Sequence, residues 1–301
     1  MKNAILLLAS FFIVIAITAQ VPSYVPTNGL VGWWPFNGNA NDESGNGNNG
    51  VVNGSTLTSD RFGNTNSAYS FNGSSDYIVV PNSSSLQNIS SITISAWINI
   101  NQLYQSGDAG FFPIVSKSDQ QGTYGSYAFG FWSPNIIGHL NYQETATSFP
   151  FNFGNWQYVT FVVSENTTTF YLGGQILWTG NSGVFPNNPI NTLPLIFGMD
   201  RPGFVEYANG KIDDIAIFNR ALTQNEITQL YTNTVIPSTT EDTTFNVGVG
   251  TTNPKRRLHI NDVMRLEPRS SAPANPGEGD IYYDGLLKKL RYYNGTGWIS
   301  L

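Results

Sequence analysis

Short runs in which apolar and polar residues alternate dominate the sequence between residues 27 and 235, and Gly, Asn, Pro or Ser bounds each run. The clearest run spans residues 92–100, where every even-numbered residue is apolar. Because successive side chains of a strand point to opposite faces, the even positions are expected to face a core and the odd positions, including Trp97, to face away from it. Many such strands separated by turns predict antiparallel sheets packed face to face.

One helix is predicted near the end of this region. Thr223-Gln-Asn-Glu226 is a capping box that leads into Ile227, Leu230 and Tyr231 at helical spacing. After Tyr231 the composition becomes polar and rich in Ser and Thr, as in a linker. The predicted boundaries are a signal peptide at 1–19, a main domain at 20–235, a linker at 236–244 and a small β-rich tail at 245–301.

Composition excludes several classes of function. Only 34 of the 301 residues are charged, and Asn, also 34 residues, supplies much of the surface polarity. The net charge of −6 argues against nucleic acid as a partner, because affinity for phosphate comes from clustered Lys and Arg. The sequence has no cysteine, which excludes disulfides and thiol catalysis.

The amino terminus has the order of charged, apolar and small residues that is typical of a secretory signal. Lys2 precedes an apolar run at 4–17, and Thr18, Ala19 and Gln20 follow. That run is shorter than the roughly 20 residues that span a bilayer, so no membrane span is expected after signal removal. A secreted or bacterial cell-surface protein is predicted.

Three stretches carry a family resemblance. They are Gly-Leu-Val-Gly-Trp-Trp-Pro-Phe-Asn-Gly from Gly29, the strand-like runs 68–73, 77–81 and 94–98, and Gly-Lys-Ile-Asp-Asp-Ile-Ala-Ile-Phe-Asn-Arg-Ala-Leu from Gly210. Together they resemble laminin-G-like domains of the concanavalin A-like type. The resemblance implies an all-β, two-sheet antiparallel jelly-roll sandwich.

The tail has a resemblance of its own. Residues 247–260, 279–284 and 293–298 resemble repeat segments of bacterial surface fibres and phage tail fibres. At under 60 residues, the tail is expected to have a marginal core when alone. Docking on a neighbour or on copies of itself is therefore expected.

A calcium site is expected in the main domain. The segment 37–46 is dense in the oxygen ligands that calcium prefers, and the family resemblance implies that Asp42 meets an acidic residue of a late strand across one ion. Asp213 is the expected second ligand, because the apolar pattern places it on one face with Ile215 and Ile217, and Asp214 is the alternate. The other interpretation is that both carboxylates cap turns through backbone N–H groups.

No catalytic constellation is present in the sequence. Glu144, Glu165 and Glu206 are isolated from other acidic residues and are interpreted as solvated surface residues. A strand with Glu-x-Asp-x-x-Glu, which would suit glycoside hydrolysis on such a sandwich, is missing. The chain is predicted not to be an enzyme.

Aromatic side chains on strands are the candidate ligand contacts. Flat rings stack on the apolar faces of sugars while amides and carboxylates bind the hydroxyls. Trp97 alternates away from the isoleucine face of its run, and Trp132 alternates away from Phe129 and Phe131. Tyr142, which lies between Asn141 and Gln143, is the third candidate.

These observations predict a secreted or cell-surface, non-enzymatic binding module, stabilised by calcium, for carbohydrate or protein adhesion. Its expected partner is a glycan or a surface protein. The alternative is a structural subunit of an extracellular fibre, a homo-oligomer that assembles through the C-terminal tail.

Overall fold

The structure is a computed structural model. It describes residues 21–87, 89–106, 109–118, 127–141, 143–181, 191–200, 206–234, 270–273 and 275–300. The predicted signal peptide, the predicted linker and the first part of the tail lie outside these residues. Contacts divide the chain into two compact units, Met1–Pro237 and Ser238–Leu301.

The first unit is built from sixteen described strands and one α-helix. The strands are β1 (Leu30–Trp34), β2 (Val51–Asn53), β3 (Thr56–Thr58), β4 (Ala68–Asn72), β5 (Tyr77–Val80), β6 (Ile92–Gln102), β7 (Tyr104–Ser106), β8 (Ala109–Lys117), β9 (Tyr127–Trp132), β10 (Asn135–Leu140), β11 (Gln143–Ser148), β12 (Trp156–Ser164), β13 (Thr167–Leu172), β14 (Gln175–Asn181), β15 (Leu195–Phe197) and β16 (Asn209–Phe218). The helix is α1 (Gln224–Thr232), and a short 3-10 helix covers Ser84–Leu86.

These strands form two antiparallel sheets of eight strands each. The first sheet has the order β14-β13-β12-β6-β16-β4-β3, with β1 also paired to β16. The second has the order β11-β10-β9-β8-β15-β5-β2, with β7 also paired to β8. The predicted two-sheet antiparallel jelly-roll sandwich is confirmed.

Alternation along the strands forms the main core. On β6, the even-numbered residues from Ile92 to Ile100 are buried in this core, as the sequence predicts. The second sheet contributes Phe129 and Phe131 of β9 to the same core. Aromatic rings join the two sheets, since Phe129 stacks on Phe161 of β12 with 5.7 Å between centroids. The inner faces therefore close against each other as a β-sandwich requires.

An α-helix covers the outer face of the first sheet. Helix α1 buries Ile227 and Leu230 in a second cluster with Tyr158 of β12 and Phe218 of β16. The predicted capping box begins this helix, because the Thr223 side chain accepts the Glu226 N–H while the Glu226 carboxylate accepts the Thr223 N–H at 2.8 Å. The helix thus holds one outer face of the sandwich away from water.

The second unit contains a three-stranded antiparallel sheet. Its strands are β17 (Ile281–Asp284), β18 (Lys289–Tyr293) and β19 (Trp298–Ser300). On one face, Trp298 packs edge-on against Tyr282, and Asp284 accepts a hydrogen bond from the Tyr282 hydroxyl. These strands agree with the β-rich character that the sequence predicts for the tail. Over the described residues, no helix has the length and apolar character needed to cross a membrane.

Gly138 of β10 tests how tightly the two sheets approach. A Cβ added there would lie 2.2 Å from Cε2 of Phe161 on the opposite sheet. We expect Gly138→Ala to lower the free energy of unfolding by about 1–3 kcal/mol, because the overpacked ring has no room to move between Phe129 and Phe170. Chemical denaturation measures the loss. In a double-mutant cycle with Phe161→Leu, the pair should cost less than the sum of the two single changes; additive costs would contradict the proposed contact.

Candidate functional site

An open cleft of about 480 Å³ lies over the outer face of the second sheet. Its floor is formed by strands β8, β9 and β10, and β11 and the segment after β15 contribute to its sides. The lining residues are Phe111, Pro113, Val115, Ser118, Ala128, Phe129, Gly130, Phe131, Trp132, Ile137, His139, Glu144, Asp200 and Glu206.

Trp132 forms an aromatic platform in this cleft. It ends β9, is 45% exposed, and stacks on Phe111 of β8 with 5.5 Å between ring centroids and 25° between ring planes. The two residues are direct cross-strand partners, so the register of β8 and β9 fixes the stack. Beside Trp132 the floor of the cleft carries no large side chain on β9, because Ala128 and Gly130 occupy the next outward positions of this strand. A Cβ on Gly130 would lie 2.7 Å from the Phe112 carbonyl oxygen.

Three carboxylates reach the same cleft from two directions. Glu144 lies on β11 directly opposite His139 of β10. Asp200 and Glu206 adjoin the antiparallel bridge between Met199 and Tyr207, and the Asp200 N–H donates to the Glu206 carbonyl at 3.1 Å. From the sequence, Glu144 and Glu206 are interpreted as isolated surface residues, and Asp200 is not among the candidates. The order β11-β10-β9-β8-β15 brings the three together, which sequence spacing alone does not reveal.

Trp97, the second predicted ligand aromatic, does not extend this platform. Trp97 faces away from the main core, as predicted, but its ring stacks on Tyr231 of α1 with 5.6 Å between centroids. The Arg61 guanidinium covers Trp97 as well, 4.5 Å from its ring centroid. Trp97 is therefore packed beneath the helix on the opposite sheet. Tyr142 lies outside the described residues.

Asp42, the first expected calcium ligand, accepts three backbone hydrogen bonds. Its Oδ1 accepts the N–H groups of Trp33 at 3.0 Å and Ser44 at 2.9 Å, and its Oδ2 accepts the N–H of Asn48 at 2.9 Å. These bonds tie the Asn-rich segment to β1 and take up most of the acceptor capacity of one carboxylate. They favour the interpretation in which this residue caps turns.

Asp213, the second expected ligand, lies on a different face from the one predicted. It pairs with Trp97 of β6, whereas Ala216 pairs with Ser95, so the register shifts between Asp213 and Ala216. This β-bulge breaks the alternation, and Asp214 within it has a φ of 48°. The expectation that Asp213 shares a face with Ile215 and Ile217 is therefore wrong, because an extra residue separates them.

Arg61 holds both carboxylates of the bulge. Its Nη1 lies 2.7 Å from Asp214 Oδ2 and 3.3 Å from Asp213 Oδ2, and all three side chains are largely buried. Asp213 also accepts the Asp214 N–H through Oδ1 at 2.8 Å. A divalent ion shared by Asp42 and Asp213 would have to displace this guanidinium. Over the described residues, no group of three or more His, Cys, Asp or Glu side chains could hold a metal ion.

These contacts therefore do not fit the expected ion, and calcium binding stays a prediction. One guanidinium serves two buried carboxylates, so the cluster lacks a full neutralising charge. Burial, and next the neighbouring charge of Asp214, raise the pKa of Asp213 to about 9. Burial likewise raises the pKa of Asp214.

The raised pKa makes stability depend on pH. The folded chain keeps a proton on Asp213 that the unfolded chain releases near the ordinary value of 3.8. The free energy of unfolding is therefore expected to fall as the pH rises from about 4 to about 9. Asp213→Asn should flatten this slope, whereas Glu165→Gln in an exposed turn should leave it unchanged. Chemical denaturation across this pH range measures both slopes.

Thermal melting with calcium and with chelator tests the expected ion. If an ion bridges Asp42 and Asp213, added calcium raises the melting temperature relative to chelator, since a ligand that binds only the folded state stabilises it. The described contacts predict equal melting temperatures with calcium and with chelator. A calcium-dependent increase that Asp213→Asn removes would contradict the ion cluster described above.

Comparison with solved structures gives the same fold at low sequence identity. The receptor-binding domain of botulinum neurotoxin C/D mosaic serotype matches with a TM-score of 0.55 and 17% identity over 69% of this chain and 52% of that chain. Domain 4 of an extracellular arabinanase from Geobacillus stearothermophilus, in complex with arabinotriose, matches with a TM-score of 0.51 and 17% identity over 67% of this chain and 98% of that one. The match thus spans about half the length of the toxin binding domain. No curated protein matches the chain.

A family comparison matches the sequence itself. The model described as the concanavalin A-like lectin/glucanases superfamily, of laminin G type, matches residues 72–228, which is just over half of the chain. The matched region runs from the end of β4 into helix α1 and contains the strands beneath the cleft. The chain belongs to this laminin-G-like family of the concanavalin A-like superfamily.

Proposed function

We propose that this protein is a carbohydrate-binding module whose binding site is the cleft on the outer face of the second sheet. The observation that carries the proposal is the exposed Trp132 ring, held by Phe111 within a cleft of about 480 Å³. A flat ring beside hydrogen-bonding groups suits a sugar, whose apolar C–H face stacks while its hydroxyls find acceptors. Glu144, Asp200 and Glu206 supply such acceptors around the ring.

The site is largely preformed in the described residues. Cross-strand pairing fixes Trp132 against Phe111, and rigid strands carry the floor of the cleft. A preformed site loses little conformational freedom on binding. The arabinotriose complex of one structural neighbour supports a glycan as the ligand of this fold, although that likeness itself extends only to the fold.

We further propose that the protein acts outside the cell and binds without catalysis. The amino-terminal signal pattern supports export. The carboxylates of the cleft serve in this proposal as acceptors for sugar hydroxyls. Incubation with a bound glycan should therefore release no new reducing ends, and steady release of reducing ends would contradict the non-catalytic part of the proposal.

Removing the platform tests the site. We expect Trp132→Ala to weaken binding to the glycans that an array identifies by about 30-fold, since loss of a central aromatic contact costs on the order of 2 kcal/mol. Trp132→Phe should retain most of the affinity, because it keeps a flat ring. Calorimetry with the best array glycan measures both changes.

Phe153→Ala is the matched control for this test. Phe153 is 49% exposed and stacks on Phe151, but it does not line the cleft. We expect this variant to bind as the wild type does. Equal losses in Trp132→Ala and Phe153→Ala would contradict the placement of the site.

A second candidate function is a fibre subunit that joins copies through the tail. One face of its three-stranded sheet carries aliphatic and tyrosine side chains and no charge, and these side chains share it: Ile281, Tyr283, Leu290, Tyr292 and Ile299. Ile281 is 53% exposed and Ile299 is 43% exposed. So few short strands have little stability alone, and pairing of this uncharged face with the same face of another copy would cover it.

Sedimentation tests this assembly. We expect the mature full-length chain to sediment as an oligomer and the double variant Ile281→Thr/Ile299→Thr to sediment as a monomer, because threonine keeps strand propensity but removes apolar area. Lys289→Thr, on the opposite face of the sheet, is the control and should remain oligomeric. A monomeric wild type at micromolar concentration would refute the fibre candidate and leave the glycan proposal intact.

A further inference from the structure

The described lining of the cleft is acidic. It contains three carboxylates and no lysine or arginine. Glu144 approaches from β11, whereas Asp200 and Glu206 approach from the side of β15. Strand β9, which carries Trp132, lies between these two sides. A ligand stacked on Trp132 therefore has negative charge on both flanks.

A described lysine close to the cleft forms its hydrogen bonds inside the domain. Lys117 ends β8 next to the lining residue Ser118, but it is fully buried. Its ammonium donates to Asn82 Oδ1 at 2.9 Å, to the Asn191 carbonyl at 3.1 Å and to the Leu193 carbonyl. Its charge therefore serves the interior of the domain.

Two further arginines have partners away from the cleft. Arg61 pairs with the carboxylates of the β16 bulge, and Arg220 pairs with Glu226 of α1 at 2.5 Å, both at the first sheet. Arg201, next to Asp200 in sequence, lies outside the described residues. Even with the charge of Arg201 counted and with His139 of the lining protonated, the three carboxylates leave a formal charge of −1.

We propose, resting on the glycan-binding function, that this cleft selects glycans by charge. It binds chains of amino sugars with free amino groups in preference to neutral glycans, and it excludes acidic glycans. An ammonium between the two acidic flanks forms charge-assisted hydrogen bonds, which are stronger than those of a neutral hydroxyl. A carboxylate or sulfate on the ligand meets like charge in a partly enclosed site, where water screens it less than at an open surface.

Three oligosaccharide hexamers of different charge test the proposal by calorimetry on the mature full-length chain. They are a glucosamine hexamer with free amines, an N-acetylglucosamine hexamer and a galacturonate hexamer. At about pH 6, where the amines are charged and carboxylates are ionised, we expect the first to bind about tenfold more tightly than the second. The galacturonate hexamer should give no measurable binding. The tenfold preference should shrink as salt rises, because salt screens charge.

Two variants test whether the preference for the glucosamine hexamer arises in the cleft. Glu144→Gln keeps the shape of the side chain and removes one charge, so affinity for the glucosamine hexamer should fall about threefold more than affinity for the N-acetylated hexamer. Glu165→Gln is the matched control, because Glu165 is an exposed glutamate in the turn between β12 and β13. It should change neither value.

The outcomes separate this inference from the proposed function. Binding of the galacturonate hexamer as tight as that of the neutral hexamer, or a preference that Glu144→Gln leaves unchanged, would overturn the charge selection alone. If none of the three hexamers binds and Trp132→Ala changes nothing on the glycan array, the proposed function itself fails. If Trp132→Ala abolishes the order of affinities for the three hexamers and Glu144→Gln weakens it, both the charge selection and the proposed function are supported.

Discussion

Burial of alternating side chains between two sheets is the constraint on which the rest of the main domain depends. Each apolar side chain removed from water contributes on the order of 1.5–3 kcal/mol, and β6 alone buries four isoleucines and one alanine in this way. A sheet, however, has two faces, and each outer face must be either covered or polar. Helix α1 covers the first sheet over Tyr158 and Phe218. The second sheet instead carries the open cleft over β8, β9 and β10, so the difference between the two outer faces positions the candidate site.

The same difference decides which tryptophan can meet a ligand. Trp97 and Trp132 have equivalent patterns in sequence, since each alternates away from a row of core residues. Trp97 lies on the covered sheet, where Tyr231 and Arg61 enclose its ring. Trp132 lies on the sheet that carries the cleft, where Phe111 stacks on one side of its ring and the residue is 45% exposed among the described residues. Local alternation thus gives the face of the strand, and the position of a distant helix gives the exposure.

Much of the fold could be predicted because it depends on local signals. Alternation predicts β6 with its correct faces, and the capping box at Thr223 predicts α1. The face of Asp213 could not be predicted, because a bulge shifts the register and depends on pairing with β6 and β1. The carboxylates on the two sides of the cleft differ in how far the sequence predicts their positions. The hairpin between β10 and β11 already places Glu144 opposite His139, whereas Asp200 and Glu206 reach the cleft only through the order of strands in the sheet.

The small number of charged residues links the ion pairs of the fold to the charge of the cleft. With 14 Lys and Arg residues against 20 Asp and Glu residues, the chain cannot give every carboxylate a basic partner. Three described cations of the main domain lie where the fold needs them: Arg61 joins the β16 bulge to the segment after β3, Arg220 supports the start of α1, and Lys117 binds interior carbonyls. Each of these positions favours a cation because a buried or capping acceptor would otherwise lose its hydration without a partner. The described lining of the cleft, in contrast, contains three carboxylates and neither lysine nor arginine. The acidic character of the candidate site therefore follows from how the fold is held together.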